Sequence, residues 1–190
     1  MTDNQPVYVS LEFTPNPNTL KYSVNRTLLK TRTAANFGRA QDAADKSPLA
    51  TKLFKVAGIS AVMIGKDFVT VTKTEEGDWD VVHKNTSSII EEHLTKNELV
   101  VDEGLMSAGQ TTGNMGIIET KIREILDAEI RPAVAMDGGD ITFDRFEDGV
   151  VYLHMQGSCA GCPSSTATLK QGIETRLRDA IPEVIEVVSV

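Results

Sequence analysis

Residues 150–174 read VVYLHMQGSCAGCPSSTATLKQGIE. Val150 to Gln156 is a run of β-formers, and Gly157 and Gly161 permit unusual backbone angles. Pro163 suits the first position of a helix, and Leu169, Ile173, Leu177 and Ile181 then step by four. The stretch is therefore a strand, a glycine-rich turn and a helix over 164–180 that Pro182 stops. Upstream, Ile118, Ile122, Ile125, Leu126 and Ile130 predict a helix over 117–131 that ends or kinks at Pro132. MDGGD (136–140) reads as a turn. Ile141–Phe146 and Val150–Gln156 form a hairpin across EDG, and VIEVVSV closes the chain as a strand. The order is α-β-β-α-β, with a CxxC pair between the second strand and the second helix.

The rest of the chain reads as a second piece. Val7, Val9, Leu11 and Phe13 alternate as a half-buried strand, TPNPNT (14–19) is a turn, and LKYSVN is a return strand. Ser47 and Pro48 open a short helix that Gly58 closes. ISAVMI (59–64) and FVTVT (68–72) form a hairpin around GKD, and Asn85–Leu99 is a helix with Ile89, Ile90 and Leu94 on one face. VDEGLMSAGQTTGNMG (101–116) has the small, polar, glycine-containing composition of a connector. The expectation is an α+β protein of two small α+β domains, 1–100 and 117–190, joined by a linker at 101–116.

Composition narrows the function. The 190 residues carry a formal charge of −8, with 12 basic and 14 acidic groups before residue 105 against 7 and 13 after it. An acidic C-terminal part disfavours nucleic acid, whose affinity depends on Lys and Arg against phosphates. No apolar run reaches the roughly 18 residues of a membrane span. MTDNQPVYVSLEF has neither a signal-peptide nor a transit pattern, so the expected location is cytoplasmic.

Cys159 and Cys162 are the only cysteines. A thiol at a helix N-terminus is shifted toward thiolate, the form that attacks disulfides and ligates metals. Four readings compete: inert packing or a local disulfide, a thioredoxin-like redox pair, zinc, and an iron–sulfur cluster. The α-β-β order before the pair is wrong for thioredoxin. Zinc wants four ligands, and His83, His93 and His154 are scattered. A cluster held by one pair from each of two chains satisfies the ligand count.

Several other residues invite a role. Asp137 and Asp140 suggest an acid–base pair, but DGGD is what a tight reversal needs. DGG is followed by no G-K-[ST], so it is not a phosphate loop. Ser158, Ser164 and Ser165 are suited to donating hydrogen bonds to cluster sulfurs or to capping the helix.

MDGGD, VVYLHMQGSCAGCPSSTATLKQGIE and IPEV make residues 117–190 similar to the C-terminal domain of NifU. TPNPNTLKY (14–22), SPLATKLF (47–54) and GKDFVTVTK (65–73) make 7–98 resemble the Nfu N-terminal domain. The resemblance implies a carrier, and with no catalytic constellation visible in the sequence an enzyme is not expected. Such a carrier binds a [4Fe-4S] cluster through Cys159 and Cys162, bridged in a homodimer, takes it from a donor protein and transfers it to recipient apoproteins. The alternative is a thiol–disulfide oxidoreductase using the same pair.

Overall fold

A computed structural model describes residues 6–31, 33–106, 116–160 and 163–190. The chain divides into two compact units, Met1–Gly109 and Gln110–Val190.

The first unit is an antiparallel sheet backed by helices. Its strands are β1 (Val9–Phe13), β2 (Thr19–Val24), β3 (Ala35–Phe37), β4 (Ile59–Ile64) and β5 (Phe68–Lys73), in the order β1-β2-β5-β4-β3. One face of the sheet (Leu20, Tyr22, Val62, Ile64, Val69 and Val71) is buried with Leu49 and Leu53 of α2 (Pro48–Leu53) and Val82, Ile90 and Leu94 of α3 (Trp79–Thr95). Ser47 caps α2 by accepting the Ala50 N–H at 3.0 Å, and its hydroxyl donates to the Val100 carbonyl at 2.7 Å.

Four features differ from the sequence reading. β3 and the four-residue α1 (Ala40–Ala43) are additional. Helix α3 begins at Trp79, six residues before Asn85, because Asp78 caps it and the Trp79 indole donates to the Pro17 carbonyl at 3.2 Å. Phe13 projects from the end of β1 and is 86% exposed instead of half-buried. Within the stretch assigned to a connector, Val101 is buried in this core and Glu103–Met106 form a short helix, α4. Residues 107–115 lie outside the described residues.

The second unit is the predicted α-β-β-α-β arrangement. Its first helix runs as α5 (Ile117–Ile125), a π turn (Leu126–Ile130) and α6 (Arg131–Met136). Pro132 therefore does not end it. The wider turn, in which the Arg131 N–H reaches back to the Leu126 carbonyl, accommodates a ring that would clash in an α-helix. The hairpin of β6 (Gly139–Glu147) and β7 (Val150–Gly157) turns at Asp148 and Gly149, both at positive φ. Helix α7 (Pro163–Ala180) crosses over to β8 (Glu186–Ser189), which lies parallel to β7. Ile122, Leu126, Ile141, Val151, Leu153, Ile173, Leu177 and Val187 form the core. Both units mix helices with sheets dominated by antiparallel pairing, so the protein is α+β.

Candidate functional site

The β6–β7 register sets Gly139 opposite Gly157 and Asp140 opposite Gln156. The end of β7 is therefore brought against the DGGD segment that begins β6. Gly157 adopts φ +62°, which turns the chain out of the sheet. Ser158 then ties the turn down: its N–H donates to the Gly138 carbonyl at 3.2 Å, and its hydroxyl donates to the Asp137 carbonyl. The Cys159 N–H donates to the Gln156 carbonyl at 3.3 Å and the Ala160 N–H to that of Gly157 at 3.1 Å.

This turn delivers Cys159 into the core cluster at 6% exposure. Its sulfur lies against Gly139 so closely that a Cβ there would stand 2.2 Å from Sγ. Burial pushes the Cys159 thiol up to about 11; a hydrogen bond with Ser158 opposes the rise, and the charges of Asp137 and Asp140 add to it. The expected shift toward thiolate is thus reversed at Cys159. The sulfur is packed in the apolar core, in the field of the Asp137 and Asp140 carboxylates. Cys162 and Gly161 lie outside the described residues, as do the side chains of Ser164 and Ser165.

Asp140 is engaged in an ion pair. Its carboxylate takes a two-pronged contact from Arg131, Nε to Oδ1 and Nη2 to Oδ2, each 2.8 Å, and Oδ1 accepts the Ile141 N–H. Arg131 also reaches Asp127 at 2.7 Å. The DGGD segment does reverse the chain, with Gly138 at φ +76°. It is in addition the wall behind Cys159, a role that sequence reasoning missed. The available signal was the second glycine, which is not at positive φ and is needed for clearance alone.

Each histidine has a partner within its own unit. His83 Nδ1 lies 3.3 Å from the Tyr22 hydroxyl, His93 Nε2 lies 3.0 Å from the Leu99 carbonyl, and His154 Nδ1 lies 3.2 Å from that of Val190. Among the described residues, no group of three or more His, Cys, Asp or Glu side chains could hold a metal ion. The donor chemistry is that of cysteine sulfur, a soft ligand suited to iron–sulfur clusters. The bare backbone at Gly139 gives that sulfur its seat. No described helix is long and apolar enough to cross a membrane.

Comparison with known proteins matches the second unit to the NifU-like domain over residues 122–188, and the first to the scaffold protein Nfu/NifU N terminal over 9–97. The human "NFU1 iron-sulfur cluster scaffold homolog, mitochondrial" is 41% identical over 179 residues, covering 94% of this chain and 70% of that protein. The protein of the same name from Drosophila grimshawi is 39% identical, over 93% of this chain and 59% of its own length. The chain thus spans 70% and 59% of the lengths of these two curated relatives. The solution NMR structure of a NifU-like protein from Saccharomyces cerevisiae, 21% identical, aligns over 54% of this chain and 91% of its own with a TM-score of 0.48.

Proposed function

Because the chain belongs to the Nfu family of iron–sulfur cluster scaffolds, we propose that it carries a [4Fe-4S] cluster. Cys159 and Cys162 supply its ligands, and the same pair from a second copy completes the set. The observation that carries this reading is the seat of Cys159 at the β7–α7 junction. Three tethers from Ser158 and Cys159 and the clearance at Gly139 hold a single sulfur in a defined place.

A cubane takes about four thiolates and one chain has two cysteines, so the ligand count calls for a two-fold arrangement. Binding in the assembled state alone stabilises that state by mass action. Cys159 gives up its proton when it ligates, so loading is coupled to proton release and favoured by rising pH. The function is ligand exchange: the cysteines receive the cargo from a donor protein and yield it to the thiolates of a recipient apoprotein. No catalytic turnover is involved. Thiol–disulfide exchange by the same pair is the other reading; the relatives are named as scaffolds, which favours the carrier. The relatives' names place them in mitochondria. The cytoplasmic reading of the sequence stands as a proposal that cell fractionation decides.

Anaerobic reconstitution tests the assignment, read by iron and sulfide analysis, Mössbauer spectroscopy and sedimentation. The expected product is a dimer with about one cubane per two chains, and Cys159→Ser or Cys162→Ser loses both cluster and dimer. A monomer with a full cubane would overturn the bridging, and a serine variant that keeps its cluster would overturn the ligands.

A further inference from the structure

The wall behind Cys159 consists of three consecutive residues. The Asp137 and Gly138 carbonyls receive Ser158, and the Gly139 backbone faces the sulfur. Such a segment, rich in glycine and containing one residue at φ +76°, has little stiffness of its own. Its rigidity must come from what fixes its ends.

At one end, residues 131–136 are helix α6. At the other, Asp140 directly follows Gly139 and is 5% exposed. Arg131, the first residue of that same helix, forks onto both oxygens of the Asp140 carboxylate. The contact joins residues nine apart and closes the helix end and the strand start into one loop. The planar guanidinium fork sets orientation as well as distance, which a single hydrogen bond does not. Asp127, one helical turn before Arg131, holds the guanidinium from its far side.

We infer that Arg131 and Asp140 are positioning residues for the Cys159 sulfur. Their ion pair staples the ends of the 131–140 segment and so holds the Gly138–Gly139 wall in place against the ligand. The inference rests on Cys159 being a ligand, but its test does not require iron.

The test is alkylation of the apo full-length chain by iodoacetamide, with modification at Cys159 and Cys162 resolved by tandem mass spectrometry. A stapled wall keeps Cys159 covered, so its alkylation waits on local opening. Arg131→Met and Asp140→Asn should each accelerate alkylation of Cys159 by at least about tenfold. The acceleration should be nearly independent of urea, because local opening exposes little surface.

A purely electrostatic role gives opposite signs: losing the Arg131 cation slows the thiol and neutralising Asp140 speeds it. That result would overturn the inference. So would unchanged rates, or a urea dependence equal to that of global unfolding, which marks a merely structural role. Should Arg131→Met fail to fold by circular dichroism, Arg131→Lys keeps the charge without the fork. It should show a smaller acceleration, and a wild-type rate in it would equally overturn the staple. Failure of the wild-type protein to take up a cluster would count against the proposed function and leave these rates to stand or fall by themselves.

Discussion

Gly139→Ala is the sharpest test of how the site is built. The backbone at 139 is not at positive φ, so alanine adds no conformational strain, and the whole effect is steric. The new methyl would lie 2.2 Å from Cys159 Sγ and 3.3 Å from both its Cβ and its nitrogen. Non-bonded heavy atoms settle at about 3.5–4 Å, so the sulfur contact is short by more than an ångström. Two relaxations are open. If β6 shifts, the cost is that of an overpacked core, about 1–3 kcal/mol. If instead the Cys159 side chain rotates away, the cost falls to about 0.5–1.5 kcal/mol, but the sulfur leaves its seat. Stability therefore drops by about 0.5–3 kcal/mol, depending on the route, and cluster content falls by much more than that loss explains. Gly172→Ala is the control. It sits in the exposed interior of α7 with nothing within 4 Å of its Cβ, and it should stabilise by about 0.5–1 kcal/mol. Urea unfolding of the apo chain followed by circular dichroism measures both, with Trp79 fluorescence reporting the first unit separately. Iron and sulfide content after reconstitution completes the assay. A Gly139→Ala protein with wild-type stability and a full cluster would refute the reasoning.

Ser47→Ala removes both the cap on the Ala50 N–H and the bond to the Val100 carbonyl at a fully buried position. It should cost the first unit about 1–3 kcal/mol, seen in the Trp79 transition. Burial pushes the Tyr22 hydroxyl up to about 12 from 10.0. The folded chain therefore holds this proton more tightly than the unfolded one. The associated stability is complete below about pH 10 and is lost between there and about pH 12, a slope that Tyr22→Phe should flatten.

The local rules were sufficient wherever an element is fixed by its own residues. The α-β-β-α-β order of the second unit follows from the four-residue steps of Ile and Leu in the helices and the β-formers between turns, and these are the residues found in the core. They fell short where a distant contact decides the outcome. Trp79 begins α3 because its indole finds the Pro17 carbonyl, a partner 62 residues away. Val81 and Val82 on either reading look as much like strand as helix. Val101 is buried although its neighbours have the composition of a connector, because the core closes over it and the Asp102 N–H finds the Lys46 carbonyl at 2.7 Å. Pro132 was a stop signal for an α-helix, but a π turn is a second way to house it.

The same distinction governs the site. CxxC before a helix is visible as a string of letters, and so is DGGD, and each has a sufficient local explanation as a turn. What joins them is the register of one hairpin, Gly139 opposite Gly157, and register is a property of paired strands. Once that pairing exists, each oddity of DGGD acquires a second reason. Gly139 lacks a side chain because a sulfur occupies the space, and Asp140 carries a charge because Arg131 comes round to meet it. The thiolate expectation for Cys159 failed for a related cause. It assigned the sulfur to the helix start by sequence proximity, whereas the turn at Gly157 and Ser158 sends it back into the core. The acidity of a cysteine follows what its sulfur touches, and at Cys159 that is apolar side chains, bare backbone and the field of two carboxylates.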